Sequence, residues 1–157
     1  MDIRELIEPD RVLDRLEARD KSQLLAEIAR RAAEAAGLDS EVVLSALNAR
    51  EQLGSTGVGH GVAVPHARIK GLARLLGLFA RLARPVDFAA IDDQPVDLVF
   101  LMLIPAEAGN EYLAALSAVS RRLRDREVVR RLRAADGAAV LYDLLVAPVR
   151  PTPNAAP

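Results

Sequence analysis

The order of the predicted elements indicates an α/β or α+β layered sandwich formed by a single domain. Helical patterns come first in the chain, strand patterns follow, and helical patterns return toward the C-terminus. One strand pattern, Val96–Ile104, is apolar on both faces, as expected of a central strand that is covered on both sides. The 157 residues contain no internal repeat and no composition shift that would mark a second domain.

The first helix is predicted by its capping residues. A short strand or turn within the first twenty residues leads to Asp20, which is a favoured N-cap residue. Gln23 lies three residues later and completes a capping box. Apolar residues then recur at helical spacing as far as Gly37, which is typical of the residue just after a helix.

The second helix leads into a glycine-rich loop. It is predicted to begin at Asp39 or Ser40 and to stop at Gly54. Arg50 shares the apolar face of this helix and lies at its C-terminal end, next to the loop. From there Arg50 could reach a bound group or could cap the carbonyls of its own helix.

Beyond the loop, the spacing of apolar residues changes from about 3.6 toward 2 and then returns to the helical value. The predicted strands are Val62–Pro65, Leu75–Leu82 and Val96–Ile104, and the predicted helices lie near Asn110–Leu123, Arg126–Arg133 and Ala138–Leu145. Residues 1–147 form the predicted domain, and the proline-rich residues 148–157 are predicted to be a disordered tail.

The composition predicts a cytoplasmic globular protein. Hydrophobic residues make up 51% of the chain and charged residues 27%, which is ordinary for a soluble domain. The charged N-terminal twenty residues do not resemble a signal peptide, and no apolar run is long enough to span a membrane. There is no cysteine, which excludes disulfides, a thiolate nucleophile and cysteine-ligated metal.

The charge pattern gives no reason to expect nucleic acid as a partner. The formal net charge is −1. Arginines are concentrated between residues 121 and 133, but Asp125 and Glu127 are interspersed among them and no aromatic residue interrupts them. This pattern favours a solvated helical face, some of whose arginines could meet an acidic protein partner.

The segment "GSTGVGHGVAVPHAR", residues 54–68, contains both histidines of the chain and four of its nine glycines. It does not match a P-loop, because no lysine follows the glycines, and it does not match the dinucleotide fingerprint, because Val62 stands where the third glycine would be. A serine-hydrolase elbow is also missing. A metal site would need His60 and His66 together with Asp92 or Asp93, which is a small ligand set.

Nucleophilic catalysis by histidine itself remains as the chemistry that fits this segment. A neutral imidazole can attack a phosphoryl donor and hold the group as a phosphoramidate, without a metal or a cofactor. The charge on the transferring oxygens must then be stabilised by backbone N–H groups, hydroxyls or cations. The candidates are the glycine backbone at 57–61, Ser55 and Thr56, and Arg50 and Arg68. The alternative is structural, with Ser55 and Thr56 as turn residues and Arg68 as a solvated charge.

The segment "REQLGSTGVGHGVAVPHAR", residues 50–68, closely resembles the active-site signature of phosphotransferase system EIIA domains of the fructose/mannitol type, or EIIA type-2. The resemblance continues through residues 85–110 and 130–136 and covers nearly the whole chain apart from the tail. Within the family, the nitrogen-regulatory branch is the most similar. The resemblance implies a single α/β domain with a mixed β-sheet flanked by helices on both faces.

The resemblance also implies roles for individual residues. His66 matches the histidine that accepts a phosphoryl group from an HPr-type phosphocarrier, and Arg50 matches the arginine thought to contact that group. Ser55, Thr56 and Gly57 match the loop near the phosphate. Two positions differ from most relatives. His60 replaces an asparagine, and it would at most help to neutralise the phosphoryl group or tune His66. Tyr112 stands where a second histidine usually pairs with the acceptor.

The predicted function is therefore that of a phosphocarrier of the nitrogen-regulatory phosphotransferase system. It would regulate partners such as potassium transporters or sensor kinases through its phosphorylation state. A stand-alone fructose or mannitol EIIA that passes phosphate to a sugar-specific EIIB is the alternative within the family. The alternative from another class is an interaction module that has lost phosphotransfer, for which Tyr112 in place of histidine is the only hint.

Overall fold

A computed structural model describes residues 2–148 of the chain. Two 3-10 turns, Ile3–Glu5 and Pro9–Arg11, precede the first strand. The strands are β1 (Val12–Leu16), β2 (Gly57–Gly59), β3 (Val62–Ala63), β4 (His66–Ile69), β5 (Leu76–Val86) and β6 (Val96–Pro105). The helices are α1 (Lys21–Ala36), α2 (Ser40–Gln52), α3 (Glu111–Arg124), α4 (Arg126–Ala134) and α5 (Ala138–Val146). Apart from Pro148, the predicted tail lies outside the described residues.

The six strands form one mixed sheet in the order β1-β5-β6-β3-β2. Strands β3 and β4 both run parallel to β6 and lie one after the other along the same edge of it. Strand β5 pairs antiparallel with the opposite edge of β6, and β1 runs parallel to β5. The mixed α/β sheet predicted from the sequence is therefore confirmed.

Strand β6 is central and contacts both helical layers. Its side chains alternate between two apolar clusters, because successive residues of a strand point to opposite faces. Leu98, Phe100, Met102 and Ile104 pack in the cluster with α3, α4 and α5. Val99, Leu101 and Leu103 pack in the cluster with α1 and α2. Each large apolar side chain that is fully buried contributes about 2 kcal/mol, so this strand is the main anchor of the fold.

The first helix begins and ends where its capping residues predict. The Asp20 carboxylate accepts a hydrogen bond from the backbone N–H of Gln23 at 2.8 Å, and Gly37 ends the helix with a φ of 68°. The Gln23 side chain accepts from the backbone N–H of Arg19, at 2.6 Å. In a capping box the Gln23 side chain would accept from the backbone N–H of Asp20; here it accepts from the N–H of the preceding residue, Arg19.

The strand predicted at Val62–Pro65 is wrong in its extent. The structure has a two-residue β3 that ends at Ala63, followed by a break at Val64 and Pro65. His66 therefore begins β4 and does not lie at the end of a strand. Proline has no N–H to donate to a neighbouring strand, which explains why the pairing is interrupted at this point.

The C-terminal end of α4 is fastened to the sheet by Arg81. This side chain donates two hydrogen bonds to the Asp14 carboxylate of β1, at 2.7 and 2.8 Å, and a third to the Leu132 carbonyl at 2.9 Å. The Arg81 guanidinium also lowers the pKa of Asp14 below its ordinary value of 3.8. These contacts fix the position of the neighbouring Arg133, which reaches the glycine-rich segment.

Candidate active site

His66 lies at the start of β4, on the sheet face that carries α3. It pairs with Met102 of β6, whose side chain belongs to the α3–α5 cluster, and residues paired in a parallel ladder point to the same face. The imidazole is half-buried, and its Nδ1 lies 2.8 Å from the Val64 carbonyl oxygen. The break between β3 and β4 makes this local contact possible.

The contact with Val64 determines which ring nitrogen of His66 can react. A carbonyl oxygen can only accept a hydrogen bond, so Nδ1 must carry the proton in this arrangement. In the neutral imidazole, Nε2 then has the free lone pair. His66 is thus held in the tautomer that presents Nε2 as the nucleophile.

The Val64 backbone is itself held by Thr56 and Glu51. The Val64 N–H donates to the Thr56 carbonyl at 3.0 Å. Thr56 is buried, and it donates to the Glu51 carboxylate from its backbone N–H at 3.0 Å and from its hydroxyl at 2.5 Å. A continuous set of hydrogen bonds therefore runs from Glu51 through Thr56 and Val64 to the ring of His66.

The side chain of Glu51 is almost fully buried, and its negative charge is compensated by Lys21. The Lys21 ammonium lies 2.9 Å from the Glu51 carboxylate, whose side chain is only 6% exposed. The same ammonium lies 4.3 Å from the centre of the Phe88 ring. Burying a carboxylate is costly unless it is paired and hydrogen-bonded, and here both conditions are met.

Ser55 and Gly57 make their contacts within the protein. The Ser55 hydroxyl donates to the Phe88 carbonyl at 2.9 Å and accepts from the Gly57 N–H at 3.0 Å. A Cβ at Gly57 would lie 2.8 Å from the Cβ of Ala90, so only glycine allows this close approach. Of the three loop residues predicted to lie near a phosphate, the N–H groups of Thr56 and Gly57 already have acceptors.

Arg50 lies in the last turn of α2, on the face with the buried Val43 and Leu47, as the sequence predicts. It is half-buried, and its Nη1 donates to the Gly54 carbonyl at 2.9 Å. Helix α2, which carries Arg50, packs against β4, the strand that begins with His66. Arg50 thus joins the end of α2 to the loop.

Arg68 and Tyr112 come together on the same side of the sheet as His66. Arg68 is two residues beyond His66 on β4 and pairs with Ile104. Its guanidinium carbon lies 4.7 Å from the centre of the Tyr112 ring, which is in the first turn of α3. The structure therefore brings His66, Arg68 and Tyr112 to one edge of the sheet.

His60 lies elsewhere. It is exposed, has a φ of 56°, and belongs to the turn between β2 and β3. The next residue, Gly61, bonds to the backbone of Leu98, four residues before Met102, which pairs with His66. Four residues of an extended strand span about 13 Å. The structure does not bring His60 to His66, so it gives no support to a helper role for His60 or to a metal site that uses both histidines.

The His60 turn is held by acidic residues and by Arg133. The backbone N–H of His60 donates to the Asp92 carboxylate at 2.9 Å, and this bond is the largest cause of a lowered Asp92 pKa. Arg133 donates to the His60 carbonyl at 2.6 Å and pairs with Asp97 at 2.9 Å. Both contacts are with the backbone of His60, and they hold the turn between β2 and β3 in its conformation.

Sequence reasoning missed several residues that shape this region. Glu51 lies within the quoted signature, but nothing in the sequence indicated that its carboxylate would be buried. Asp97 and Arg133 are far from the glycine-rich segment in the sequence, and the sequence indicated Asp92 only as a possible metal ligand, not as the acceptor of the His60 backbone N–H. The "RRLRAAD" segment, residues 130–136, was a signal, because the resemblance included it although it lies outside the active-site signature.

Several arginines of the 121–133 cluster have partners within the protein. Arg130 and Arg131 pair with Glu127, and Arg133 pairs with Asp97. Arg122 donates to the Leu144 and Ala147 carbonyls at the end of α5. The Arg130 and Arg131 hydrogen bonds lower the pKa of Glu127 to about 2. Much of the cluster thus has a structural role.

None of the helices between residues 2 and 148 is long and apolar enough to cross a membrane.

Comparison with known proteins identifies the family. Residues 5–147 match the model of "Phosphoenolpyruvate-dependent sugar phosphotransferase system, EIIA 2". A nitrogen regulatory protein of Bradyrhizobium diazoefficiens is 45% identical over 148 residues, which are 94% of this chain and 97% of the relative. The nitrogen regulatory protein of Escherichia coli K12 is 41% identical over 132 residues, which are 83% of this chain and 81% of the relative.

A solved structure gives the same result. The nitrogen regulatory protein IIA-Ntr of Neisseria meningitidis superimposes with a TM-score of 0.85 at 35% identity, and the match covers 91% of this chain and 98% of that one. The fold and the family that the signature at residues 50–68 predicted are therefore confirmed. The chain belongs to the EIIA type-2 family of the phosphotransferase system, and it is similar to the nitrogen regulatory members of that family.

Proposed function

We propose that this protein is a cytoplasmic phosphocarrier of the nitrogen-regulatory branch, which accepts a phosphoryl group on Nε2 of His66 from an HPr-type carrier. The observation that carries the proposal is the 2.8 Å contact between His66 Nδ1 and the Val64 carbonyl. It leaves the Nε2 lone pair as the only nucleophile of the ring. The similarity to nitrogen regulatory proteins supports the choice of branch.

The transfer is a displacement at phosphorus between two imidazoles. The Nε2 lone pair of His66 forms the new N–P bond while the N–P bond of the donor histidine breaks, and the donor nitrogen keeps the electron pair. The Nδ1 proton stays in its hydrogen bond to Val64, which stabilises the positive charge that develops on the ring. A protonated ring is also a good leaving group, so the phosphoryl group can be passed on.

The phosphorylation state would then regulate the protein's partners. A dianionic phosphoryl group at the edge of the sheet changes the charge of the surface that a partner meets. Potassium transporters and sensor kinases are the kinds of target that we propose for this branch. Transfer to a sugar-specific EIIB is the second possibility to test, because the matched family is described as a sugar phosphotransferase component.

The test is incubation with phosphoenolpyruvate, enzyme I and the HPr-type carrier, followed by intact-mass measurement. We expect wild type to gain one acid-labile phosphoryl group and His66→Ala to gain none. His60→Ala is the matched control, because His60 is exposed and belongs to a separate turn, and we expect it to gain the group as wild type does.

If wild type gains no phosphate, the protein is an interaction module. Phosphorylated His66→Ala would refute the acceptor assignment. Rapid onward transfer to an EIIB would favour the sugar alternative.

A further inference from the structure

Arg68 is held in place from two directions. Its Nη1 donates to the Ala106 carbonyl at 3.2 Å and to the Ala108 carbonyl at 2.9 Å, both in the loop between β6 and α3. The face of its guanidinium lies on the Tyr112 ring, with 4.7 Å between the guanidinium carbon and the ring centre. An exposed arginine side chain is normally free to move among several rotamers, and these contacts restrict it to one.

The remaining edge of the Arg68 guanidinium is open. Within residues 2–148, neither Nε nor Nη2 of Arg68 donates to a protein acceptor. An Nε–Nη2 edge is the fork that binds two oxygens of one phosphoryl group. Because Nη1 holds the two loop carbonyls, the fork can bind an anion without giving up its anchors.

Arg68 leaves the same face of β4 as His66. His66 and Arg68 are two residues apart on β4, so their side chains point to the same face of the sheet, and their Cα atoms lie about 7 Å apart. Side chains of this length can meet around one phosphoryl group that is attached to His66. The pairing of Met102 with His66 and of Ile104 with Arg68 places both side chains on the side of α3, where Tyr112 lies.

We propose that the Nε–Nη2 edge of Arg68 binds the phosphoryl oxygens during transfer to His66, and that Tyr112 is a positioning residue that holds Arg68 through the face of its ring. The inference rests on the proposed phosphocarrier function. In this proposal Tyr112 acts only by holding Arg68. The aromatic ring of Tyr112 is required for that contact, and its hydroxyl group is not. Tyr112→Phe and Tyr112→Leu therefore separate the two parts of the side chain.

The experiment measures single-turnover transfer from the phosphorylated HPr-type carrier over a range of carrier concentrations. We expect Arg68→Ala to lower the maximal rate about 100-fold, as removal of one donor to a developing oxyanion does. Tyr112→Leu should lower it about three- to five-fold, the loss expected for an exposed cation–π contact. Tyr112→Phe should transfer at the wild-type rate, because it keeps the ring. The double variant that carries both Arg68→Ala and Tyr112→Leu should be no slower than Arg68→Ala alone, because Tyr112 acts through Arg68. Arg84→Ala, a change at an exposed arginine of β5, is the control.

A second readout separates positioning from a general effect on the fold. In ³¹P NMR of the phosphorylated protein, a guanidinium beside the phosphoryl group lowers the apparent pKa of that group. We expect this pKa to rise in Arg68→Ala and in Tyr112→Leu and to stay unchanged in Tyr112→Phe. The inference is overturned if Tyr112→Phe is as slow as Tyr112→Leu, or if Arg68→Ala changes neither the rate nor the pKa. If wild type takes no phosphate at all, the proposed function fails, and this inference fails with it.

Discussion

The two histidines of the glycine-rich segment lie at opposite ends of the β3–β4 edge, and their surroundings differ in kind. At His66 the protein holds the imidazole ring, through the contact of Nδ1 with the Val64 carbonyl. At His60 it holds only the backbone, through Asp92 on the N–H and Arg133 on the carbonyl. The comparison teaches that two histidines close together in the sequence can be held in different ways, one by its ring and the other by its backbone, and it is the ring contact that underlies the proposed role of His66.

The two ends also differ in how they are supported. The pair of Lys21 and Glu51, in which the carboxylate is nearly buried, stabilises the His66 end, whereas the more exposed pair of Arg133 and Asp97 stabilises the His60 end. Buried pairs cost much more to break than exposed ones. Changes at the His66 end should therefore affect both stability and phosphorylation, and changes at the His60 end should affect stability alone.

Removing the Glu51 carboxylate should have the largest effect. Glu51→Ala leaves the Lys21 ammonium and the Thr56 N–H and hydroxyl without partners, so we expect a loss of about 3 kcal/mol in the free energy of unfolding. Phosphoryl acceptance should slow as well, because Thr56 holds the Val64 backbone that orients His66. Denaturant unfolding and the transfer assay measure the two effects. Glu34→Ala is the control, since Glu34 is 75% exposed. Normal transfer in folded Glu51→Ala would contradict the positioning role.

A change at Gly61 tests the other end. Its φ is 80°, and a Cβ there would meet the Arg133 guanidinium and lie 2.9 Å from the Asp97 carboxylate. We expect Gly61→Ala to lower the free energy of unfolding by about 2 kcal/mol, from backbone strain and displaced Arg133 contacts, while phosphoryl acceptance is retained. Gly37→Ala is the control for strain alone, because its φ is 68° and no atom lies within 4 Å of the added Cβ. A matching loss of phosphorylation would show that the two ends are coupled.

Much of this arrangement was predictable because it depends on local patterns. Asp20 and Gly37 mark the ends of α1, and the apolar run of β6 marks the centre of the sheet. The three-residue β2 and the four-residue β4 were not predicted, since a periodic pattern needs more residues to show, and the strand predicted at Val62–Pro65 ends two residues earlier, at Ala63.

The contacts between distant residues could not be predicted in the same way. Arg68 and Tyr112 are 44 residues apart in the sequence, and His60 and Arg133 are 73 apart. Their meeting depends on where the sheet places α3 and α4, which no local pattern specifies. The separation of His60 from His66 depends on the break at Pro65 and on the pairing with β6, and the spacing of six residues in the sequence did not reveal it.

The smallest expected effect is a pH dependence at the His60 end. The N–H groups of His60 and Gln94 hold the pKa of Asp92 below its ordinary value of 3.8. A carboxylate with a lowered pKa stabilises the folded protein above that ordinary value, and this contribution is lost as the pH falls through the folded pKa. We expect Asp92→Asn to remove this part of the acid dependence in unfolding curves recorded from neutral pH to about pH 3. An unchanged acid dependence in Asp92→Asn would refute the assignment.

The most direct test of the account is the ¹⁵N NMR spectrum of the His66 ring before and after phosphorylation. Before phosphorylation, the ring should show a protonated Nδ1 and a lone pair on Nε2, as the Val64 contact requires. Afterwards, coupling to phosphorus should appear at Nε2 of His66, and the His60 ring should be unchanged. Phosphorus on Nδ1 of His66, or on His60, would contradict the account.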